Sequence, residues 1–399
     1  MTVDEEREAA GIEQSPHGGN RMPRVLMAAT LGISVRGGLL PLARHFRSKG
    51  WQVDAMARGI GEYEECRTNF DRVWDASWSR NPLHPRNLMV AAGEVRSAVA
   101  ERQYDLVHVH TPVASFVVRY ALRNLVRNRP KVIYTAHGFH FHPSGAAVSN
   151  WLYRTLEKTA GAWTDYLVVI NRTDEEACRR HRIVSPERVQ YMPGIGIDTR
   201  RLSKESVSAA QVEEVRRDIG LAPAAKLFLM VAEFNPGKRH VDALRAFALL
   251  DRTDYHLAFA GTGKLLTEMQ RLAARLGVDS RVHFLGFRRD VPTLMRASTA
   301  VLLPSNREGL PLSIMEAMSL EVPVIATRIR GSSDLLEGDC GCLVPLADPP
   351  ALASAMQRMA DDPTKAQRIG SAARRRVGDF DIENVKMFHE RLYARALAG

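Results

Sequence analysis

The sequence contains two successive series of short, apolar, β-branched runs, and this repeated pattern constrains the fold more than any other feature. Stretches long enough for a helix separate most of the runs. Strands that alternate with helices are typical of βαβ units, whose parallel sheet is covered on both faces. The runs span residues 24–30, 51–57, 105–110, 131–137, 165–171 and 188–192 in the first series, and 226–232, 256–260, 281–285, 300–303 and 323–327 in the second. The pattern predicts an α/β fold with two doubly wound, Rossmann-like domains facing a central cleft.

A polar, charged stretch at 202–221 separates the two series and marks the predicted domain boundary. We expect a disordered tail at 1–22, an N-terminal domain at 23–203 and a C-terminal domain at 204–381. The amphipathic segment that follows, 382–399, predicts a last helix. Because ligands of doubly wound sheets bind outside the carboxyl ends of the strands, the site is expected there.

The composition is that of an ordinary soluble globular protein. Of 399 residues, 45% are hydrophobic and 25% charged, and no apolar run approaches the roughly 18 residues of a membrane span. The polar N-terminus lacks the apolar core of a secretory signal. Four cysteines, with a single C-x-C pair at Cys340 and Cys342, provide neither a disulfide framework nor a zinc site. We therefore expect a cytoplasmic protein with reduced thiols.

The net charge of +10 lies mainly in the first half, with −4 over residues 1–20, +11 over 21–205 and +3 over 206–399. Such a field attracts nucleic acid, anionic lipid or a phosphorylated substrate. Arg119, Arg123 and Arg127 are spaced four apart, so on a helix they share one face. That helix would bind the anionic inner face of a membrane, or it is an ordinary crossover helix with a solvated basic face. No motif indicates nucleic-acid binding.

The segment 306–318 is the strongest chemical signal. Glu308 precedes a predicted helix that opens near Pro311, and Glu316 lies one to two turns inside it. The free N–H groups of a helix start suit a phosphate, and two carboxylates can accept hydrogen bonds from a ribose and a sugar. The alternative is a helix cap with an unrelated surface glutamate.

This E-x7-E segment, with Gly-Leu-Pro after its first glutamate, resembles the signature of family-4 glycosyltransferases of the GT-B fold. The resemblance covers residues 23–395 and is closest to the capsule and exopolysaccharide branch. Further segments match in order: Gly37-Gly38, DLVHVH at 105–110, TAHGFHF at 135–141, PGIGID at 193–198, GTG at 261–263 and FLG at 284–286.

The resemblance implies a retaining transfer of a hexosyl or N-acetylhexosaminyl group from a nucleoside diphosphate sugar, expected to be UDP-linked. Glu316 would accept from the ribose, Glu308 would contact the donor sugar, and Lys238 would neutralise the diphosphate. His137 would contact either the 6-hydroxyl of the donor sugar or the transferring centre, and the base would lie near Phe287. The donor-binding set is completed by Gly37, Gly38, Arg239, Gly309 and Leu310. The last helix would pack back on the N-terminal domain.

Glu233 departs from the family pattern, because many relatives carry an arginine five residues before the lysine. A carboxylate there would repel a diphosphate, so its charge must be met by Arg239, Arg36, Arg328 or the helix start after Glu308. Glu233 can instead face away or pair with an arginine.

The sequence favours neither a metal site nor a nicotinamide site. His137, His140 and His142 alternate along an extended chain, and Asp379-Phe380-Asp381 fits D-x-D but better suits the cap of the last helix. Gly37-Gly38, placed in a loop, permits close backbone approach but lacks the G-x-G-x-x-G spacing. We expect neither a metal nor another cofactor.

The sequence thus predicts a glycosyltransferase acting on a hydroxyl acceptor, with a polyprenyl-diphosphate-linked or polysaccharide precursor among those that fit. A nucleotide-sugar 2-epimerase and a non-catalytic nucleotide-sugar-binding subunit are the alternatives; Glu233 keeps the second open.

Overall fold

A computed structural model describes residues 21–79, 81, 84–141 and 146–399, and its chain forms two units. The first unit comprises residues up to Val169 together with Glu175–Tyr191 and Lys386–Gly399. The second unit comprises Ile170–Asp174 and Met192–Val385. Each unit is built on one parallel sheet.

The sheet of the first unit has the strand order β3-β2-β1-β4-β5-β6-β7. Its strands are β1 (Arg24–Leu31), β2 (Gln52–Arg58), β3 (Arg72–Asp75), β4 (Leu106–His110), β5 (Lys131–Ala136), β6 (Tyr166–Val169) and β7 (Val189–Tyr191). The central strands are buried along nearly their whole length, because helices cover both faces. The chain leaves β1 in one direction along the sheet and β4 in the other, so these two neighbours form the switch point.

The sheet of the second unit has the order β10-β9-β8-β11-β12-β13. Its strands are β8 (Lys226–Val231), β9 (Tyr255–Ala260), β10 (Val282–Phe284), β11 (Ala300–Leu303), β12 (Val324–Thr327) and β13 (Cys342–Val344). Here the switch point lies between β8 and β11, and the loops that follow these two strands are the expected place for a ligand.

The helices connect successive strands or follow the last one. They are α1 (Gly32–Gly38), α2 (Leu40–Ser48), α3 (Glu64–Asn69), α4 (Ala92–Arg102, continuing a π-helical turn at Asn87–Ala91), α5 (Pro112–Leu122), α6 (Ala147–Gly161), α7 (Arg172–His181), α8 (Ala209–Asp218), α9 (His240–Ala248), α10 (Leu266–Arg275), α11 (Val291–Arg296), α12 (Leu312–Ser319), α13 (Ser332–Leu335), α14 (Pro349–Asp361), α15 (Pro363–Val377) and α16 (Ile382–Ala398). Within the described parts of the chain, no helix has the length and apolar character needed to cross a bilayer.

The sequence pattern located eleven of these strands and missed β3 and β13, which lie at sheet edges and have four and three residues. The sequence of β3, Arg-Val-Trp-Asp, has a charged residue at each end, so it does not stand out as an apolar run. The boundary stretch 202–221 contains the helix α8. The domain limits at 203 and 381 stay predictions.

Two local predictions in the first unit were wrong. Gly37 and Gly38 do not lie in a loop but end the helix α1, and neither has a positive φ. The basic helix ends at Leu122, so Arg127 lies beyond it. Arg119 is buried and pairs with Glu157 at 3.0 Å, so it does not contribute to a solvated basic face.

The end of the chain follows the sequence prediction. Asp381 caps α16, because its Oδ1 accepts a hydrogen bond from the backbone N–H of Glu383 at 2.8 Å. Residues 386–399 of α16 belong to the first unit, where Tyr393 stacks on Phe46 with 4.7 Å between ring centroids. Of the predicted tail, residues 1–20 lie outside the described residues, and Arg21 forms an ion pair with Asp105 at 2.8 Å.

Candidate active site

Lys238 and Glu308 meet at the switch point of the second sheet. Lys238 follows β8 and Glu308 follows β11, and Nζ of Lys238 lies 2.6 Å from Oε1 of Glu308. The lysine side chain is 27% exposed and the glutamate 11%, so the pair is partly shielded from water. A backbone hydrogen bond from Asn306 N to Gly237 O at 2.9 Å joins the same two loops. Sequence reasoning selected both residues, and the fold brings them into contact.

The segment Asn235-Pro236-Gly237-Lys238 forms a tight turn that aims Lys238. Oδ1 of Asn235 accepts hydrogen bonds from the backbone N–H groups of Gly237 (3.0 Å) and Lys238 (3.3 Å). Proline favours the first position of such a turn because its φ is already fixed and it has no N–H to satisfy. The result is a capped 3₁₀ turn, Pro236–Lys238, that ends at Arg239.

The loop that carries Glu308 is held by Arg330. Its Nε donates to the backbone O of Glu308 at 3.1 Å, and its Nη1 donates to Oδ1 of Asp174 at 2.6 Å. Burial lowers the pKa of the Arg330 guanidinium, and the charge of Asp174 opposes that shift. Gly331 has φ +77, and a Cβ there would lie 2.3 Å from the O of Gly309, so a larger residue would displace the loop.

Glu316 lies in the second turn of α12, the helix that begins directly after this loop. Burial raises the pKa of its carboxyl to about 7. Among the described residues, none donates a hydrogen bond to it. The start of α12 is also uncapped by any side chain, with Pro311 at the N-cap. The desolvated carboxyl of Glu316 and the open N–H groups at the start of α12 therefore follow Glu308 closely in the chain. The carboxyl suits a ligand hydroxyl, and the N–H groups suit a phosphate.

The other predicted donor-binding residues of this unit differ in availability. Arg239 is already engaged, since its Nη2 donates to Oδ1 of the buried Asp242 at 2.9 Å. Phe287 follows β10 and is 73% exposed. Leu310 is buried, and its side chain lies over Gly194, so only its backbone is free for a ligand. The O of Gly309 accepts from Nδ2 of Asn171 at 3.5 Å.

Glu233 is exposed, and its Oε2 accepts a hydrogen bond from Nδ2 of Asn235 at 3.0 Å. Of the three arginines proposed to replace the missing cation, Arg239 is paired as described, and Arg36 pairs with Glu65 at 2.9 Å. Arg328, directly after β12, is exposed, and its side chain forms no hydrogen bond or ion pair among the described residues, while its backbone N–H donates to the O of Val344 at 2.8 Å.

In the first unit, His110 is the last residue of β4 and His137 directly follows β5, the neighbouring strand. Nδ1 of His110 lies 3.0 Å from Nε2 of His137. Burial lowers the pKa of His137 to about 4, and the pKa of His110 is also well below its ordinary value, mainly through burial. Both rings are therefore neutral near pH 7.

Gly37 and Gly38 lie in the same unit, between β1 and α2. A Cβ built on either glycine would meet nothing within 4 Å, so the space beside their backbone is open. Neither φ is positive, so the backbone conformation does not require glycine here, and the role of Gly37 and Gly38 in donor binding stays a prediction.

The described residues include several histidines and aspartates that the sequence offered as metal ligands. No group of three or more His, Cys, Asp or Glu side chains there is arranged to hold a metal ion. His140 packs on Tyr153, with 5.2 Å between ring centroids, and His142 lies outside the described residues. Asp379 pairs with Arg376 at 2.9 Å, while Asp381 caps α16, so the D-x-D segment serves local structure.

Sequence reasoning missed Arg330, Asp174 and His110. Arg330 follows β12 at the same sheet edge as Arg328, and this position was the available signal. His110 stands two residues after His108 at the end of a strand, which places both on one face. Nothing in the sequence indicated that Asp174 would reach Arg330.

Known proteins resemble this chain in sequence. The family described as Glycosyltransferase Family 4 matches residues 39–201, and Glycosyl transferases group 1 matches residues 211–376. EpsD of Bacillus subtilis, named as a glycosyltransferase, is 32% identical over 88% of this chain and 91% of its own. An Escherichia coli enzyme named UDP-Gal:alpha-D-GlcNAc-diphosphoundecaprenol alpha-1,3-galactosyltransferase is 28% identical over 66% of this chain and 68% of its own. None of these relatives favours the epimerase alternative.

Two solved structures share the fold. A glycosyltransferase from Rickettsia africae has a TM-score of 0.80 at 16% identity, covering 94% of this chain and 99% of its own. Anabaena HepE, crystallised with UDP and glucose, has a TM-score of 0.79 at 20% identity, covering 94% and 100%. The likeness confirms the predicted pair of Rossmann-like α/β domains.

Proposed function

This chain belongs to glycosyltransferase family 4 and has the GT-B fold, and on that premise we propose that it transfers a sugar from a UDP-sugar to a hydroxyl acceptor with retention of anomeric configuration. The group transferred is a hexosyl or an N-acetylhexosaminyl residue.

The contact between Lys238 and Glu308 carries the proposal. It joins a cation and a carboxylate at the switch point of the second sheet, where ligands of such folds bind. A nucleoside diphosphate sugar presents a diphosphate beside sugar hydroxyls, and the pair offers a partner for each. HepE of Anabaena, which shares the fold, was crystallised with UDP-glucose.

In this proposal each side chain meets one part of the donor. Lys238 binds the diphosphate, and Glu308 accepts from hydroxyls of the sugar. Glu316 accepts from the ribose, which supplies the donors that its half-buried carboxylate lacks. The exposed ring of Phe287 stacks on the base. Arg328 and the open start of α12 add positive potential in place of a metal ion.

The reaction breaks the bond between the anomeric carbon and the β-phosphate and forms a bond to the acceptor oxygen. The acceptor's proton passes to the departing phosphate on the same face of the sugar, which preserves configuration. Lys238 stabilises the charge that grows on the diphosphate. His137, as a neutral imidazole, contacts the sugar by a hydrogen bond.

We further propose a lipid-linked acceptor reached at the inner face of a membrane. The name of the Escherichia coli relative specifies a diphosphoundecaprenol acceptor. Apart from the buried Arg119, residues 106–164 carry six basic residues and one acidic residue, and this excess favours an anionic surface. The helix that carries Arg119 was one candidate for this contact, but Arg119 is buried and the helix ends before Arg127, so we propose another surface.

That surface is formed by exposed apolar side chains at the starts of two helical segments. Val148 and Trp151 stand one turn apart on the outer face of α6 and are 79% and 60% exposed. Met89, in the turn before α4, is 73% exposed. Both segments contact α5. Apolar side chains beside basic ones are typical of a surface that inserts into lipid headgroups.

The test is a screen of the purified protein with UDP-, GDP- and dTDP-sugars, measuring nucleotide release and then transfer to a synthetic polyprenyl-diphosphate sugar. We expect release with a UDP-sugar, a product with the donor's anomeric configuration by NMR, and loss of both in Glu308→Gln. An epimer formed from donor alone would establish the isomerase, and binding without turnover of any donor would establish a non-catalytic subunit.

A further inference from the structure

In the first unit, His137 belongs to a cluster of ring side chains with His110, His108 and Tyr393. His108 and His110 project from the same face of β4, with 4.2 Å between their ring centroids. Nδ1 of His108 lies 2.6 Å from Oη of Tyr393, and its Nε2 lies 2.7 Å from Oγ1 of Thr135. Both nitrogens of His108 are therefore satisfied, and this ring is fixed from two sides.

His110 is satisfied on one nitrogen only. Its Nδ1 faces Nε2 of His137 at 3.0 Å, and its Nε2 is buried without any hydrogen-bond partner in the described chain. Burial lowers the pKa of both His110 and His137, so near pH 7 each neutral ring carries one proton. One of the two rings must donate to the other, and two arrangements are available.

The two arrangements differ in what they leave buried. If His137 donates from Nε2, the proton of His110 is on its own Nε2, and a buried N–H has no acceptor. If His110 donates from Nδ1, the unsatisfied buried atom is a lone pair at its Nε2, and the proton of His137 is on Nδ1, which is not among the fully buried atoms without a partner. Orphaned buried N–H groups are rarer than under-satisfied acceptors, so the second arrangement is favoured.

We propose that His110 is a positioning residue that donates from Nδ1 to Nε2 of His137 and so holds the proton of His137 on Nδ1. His137 then presents a hydrogen-bond donor, not an acceptor, from its other nitrogen. Among the described residues that Nδ1 has no partner. This inference rests on the proposed function in one respect, because the group that receives the hydrogen bond is an oxygen of the bound sugar.

The contact between His110 and His108, whose rings are tilted by 36°, helps to fix which nitrogen of His110 faces His137. A ring that rotated to exchange its two nitrogens would lose this contact and the hydrogen bond to His137. Since His108 is itself held by Thr135 and by Tyr393 of α16, the last helix supports the orientation of His110.

The direct test is long-range ¹H–¹⁵N NMR of the protein with ¹⁵N-labelled histidine at pH 7, with the signals of His137 assigned by their loss in His137→Asn. We expect Nδ1 of His137 to show the shift of a protonated nitrogen and Nε2 that of an unprotonated one. The reverse pattern would overturn the proposal. The protein carries no donor here, so this result does not depend on whether a sugar donor is found.

The causal role of His110 is tested by two variants. His110→Leu removes the donor, and we expect His137 to become a mixture of tautomers and kcat for UDP-sugar turnover to fall roughly tenfold, as for the loss of one hydrogen bond. His110→Asn can donate from its amide and should keep the Nδ1–H form, with a smaller fall in kcat. A His137 signal that is unchanged in His110→Leu would refute the role of His110.

The matched control is His256→Leu in the second unit. Nδ1 of His256 lies 3.0 Å from Nε2 of His283, the same pairing at the same distance. We expect this variant to leave both the tautomer of His137 and kcat as in the wild type. An equal loss of kcat in His256→Leu and His110→Leu would show a general packing effect and contradict the proposal.

Discussion

Replacing Glu308 by glutamine tests the Lys238–Glu308 pair, because the change keeps the shape and removes the charge. Exposed ion pairs contribute about 1 kcal/mol or less, whereas breaking a buried pair costs about 3–5 kcal/mol. With Lys238 27% and Glu308 11% exposed, the pair lies between these limits, and we expect a loss of about 2 kcal/mol. In a unit of this size that lowers Tm by roughly 4–8 °C. Because Glu308 is also proposed to contact the sugar, kcat/KM should fall about a hundredfold.

The assay is a double-mutant cycle of Glu308→Gln, Lys238→Met and the double variant, measured by thermal unfolding and by UDP-sugar turnover. The double variant should lose less unfolding free energy than the two single variants lose in sum, because no uncompensated charge remains. Asp254→Asn breaks the surface pair with Arg252, at 3.0 Å, and should change neither quantity. Additive stability losses, or full turnover in Glu308→Gln, would refute the reasoning.

Three further outcomes are expected. Burial raises the pKa of Glu316 from 4.5 to about 7, so ionisation of this carboxyl is disfavoured in the folded state. The free energy of unfolding should therefore fall by about 3 kcal/mol as the pH rises from 4.5 to 7. Glu316→Gln should therefore unfold at a higher temperature than wild type at pH 8 but not near pH 4.5; equal Tm differences at both would contradict this. Gly331→Ala should cost roughly 2 kcal/mol more in urea unfolding than Gly338→Ala, whose φ is also positive but whose Cβ would meet nothing within 4 Å. Trp151→Ser should weaken sedimentation with anionic vesicles about tenfold, while Leu249→Ser, at an exposed apolar position of the second unit, should not; equal effects would remove α6 from the contact.

The core of the candidate site could be predicted because it depends on strand ends. The sequence pattern located β8 and β11, and residues shortly after neighbouring parallel strands reach the same sheet edge. The Lys238–Glu308 contact therefore follows from topology once the two strands are known to be adjacent. The cap at Asp381 was predictable for a similar reason, since it depends only on residues next to it in the chain.

The parts that could not be predicted depend on contacts between distant residues. Arg330 and Asp174 are 156 positions apart, and no local pattern indicates that they pair. Arg119 shows how periodicity misleads, because its spacing suggested a solvated face. The side chain is instead buried, with Nη2 bonded to Glu157 at 3.0 Å. Charge in a sequence does not reveal whether a partner lies beneath it.

Calorimetric titration with UDP is the most direct test of the claim that the loops after β8 and β11 hold the nucleotide part of the donor. We expect wild type and Asp254→Asn to bind UDP equally, and Lys238→Met and Glu316→Ala each to bind UDP at least about tenfold more weakly. Glu308→Gln should retain its affinity for UDP, because the Glu308 carboxylate is proposed to contact the sugar and not the nucleotide. Equal affinities for UDP in wild type, Lys238→Met and Glu316→Ala would contradict it.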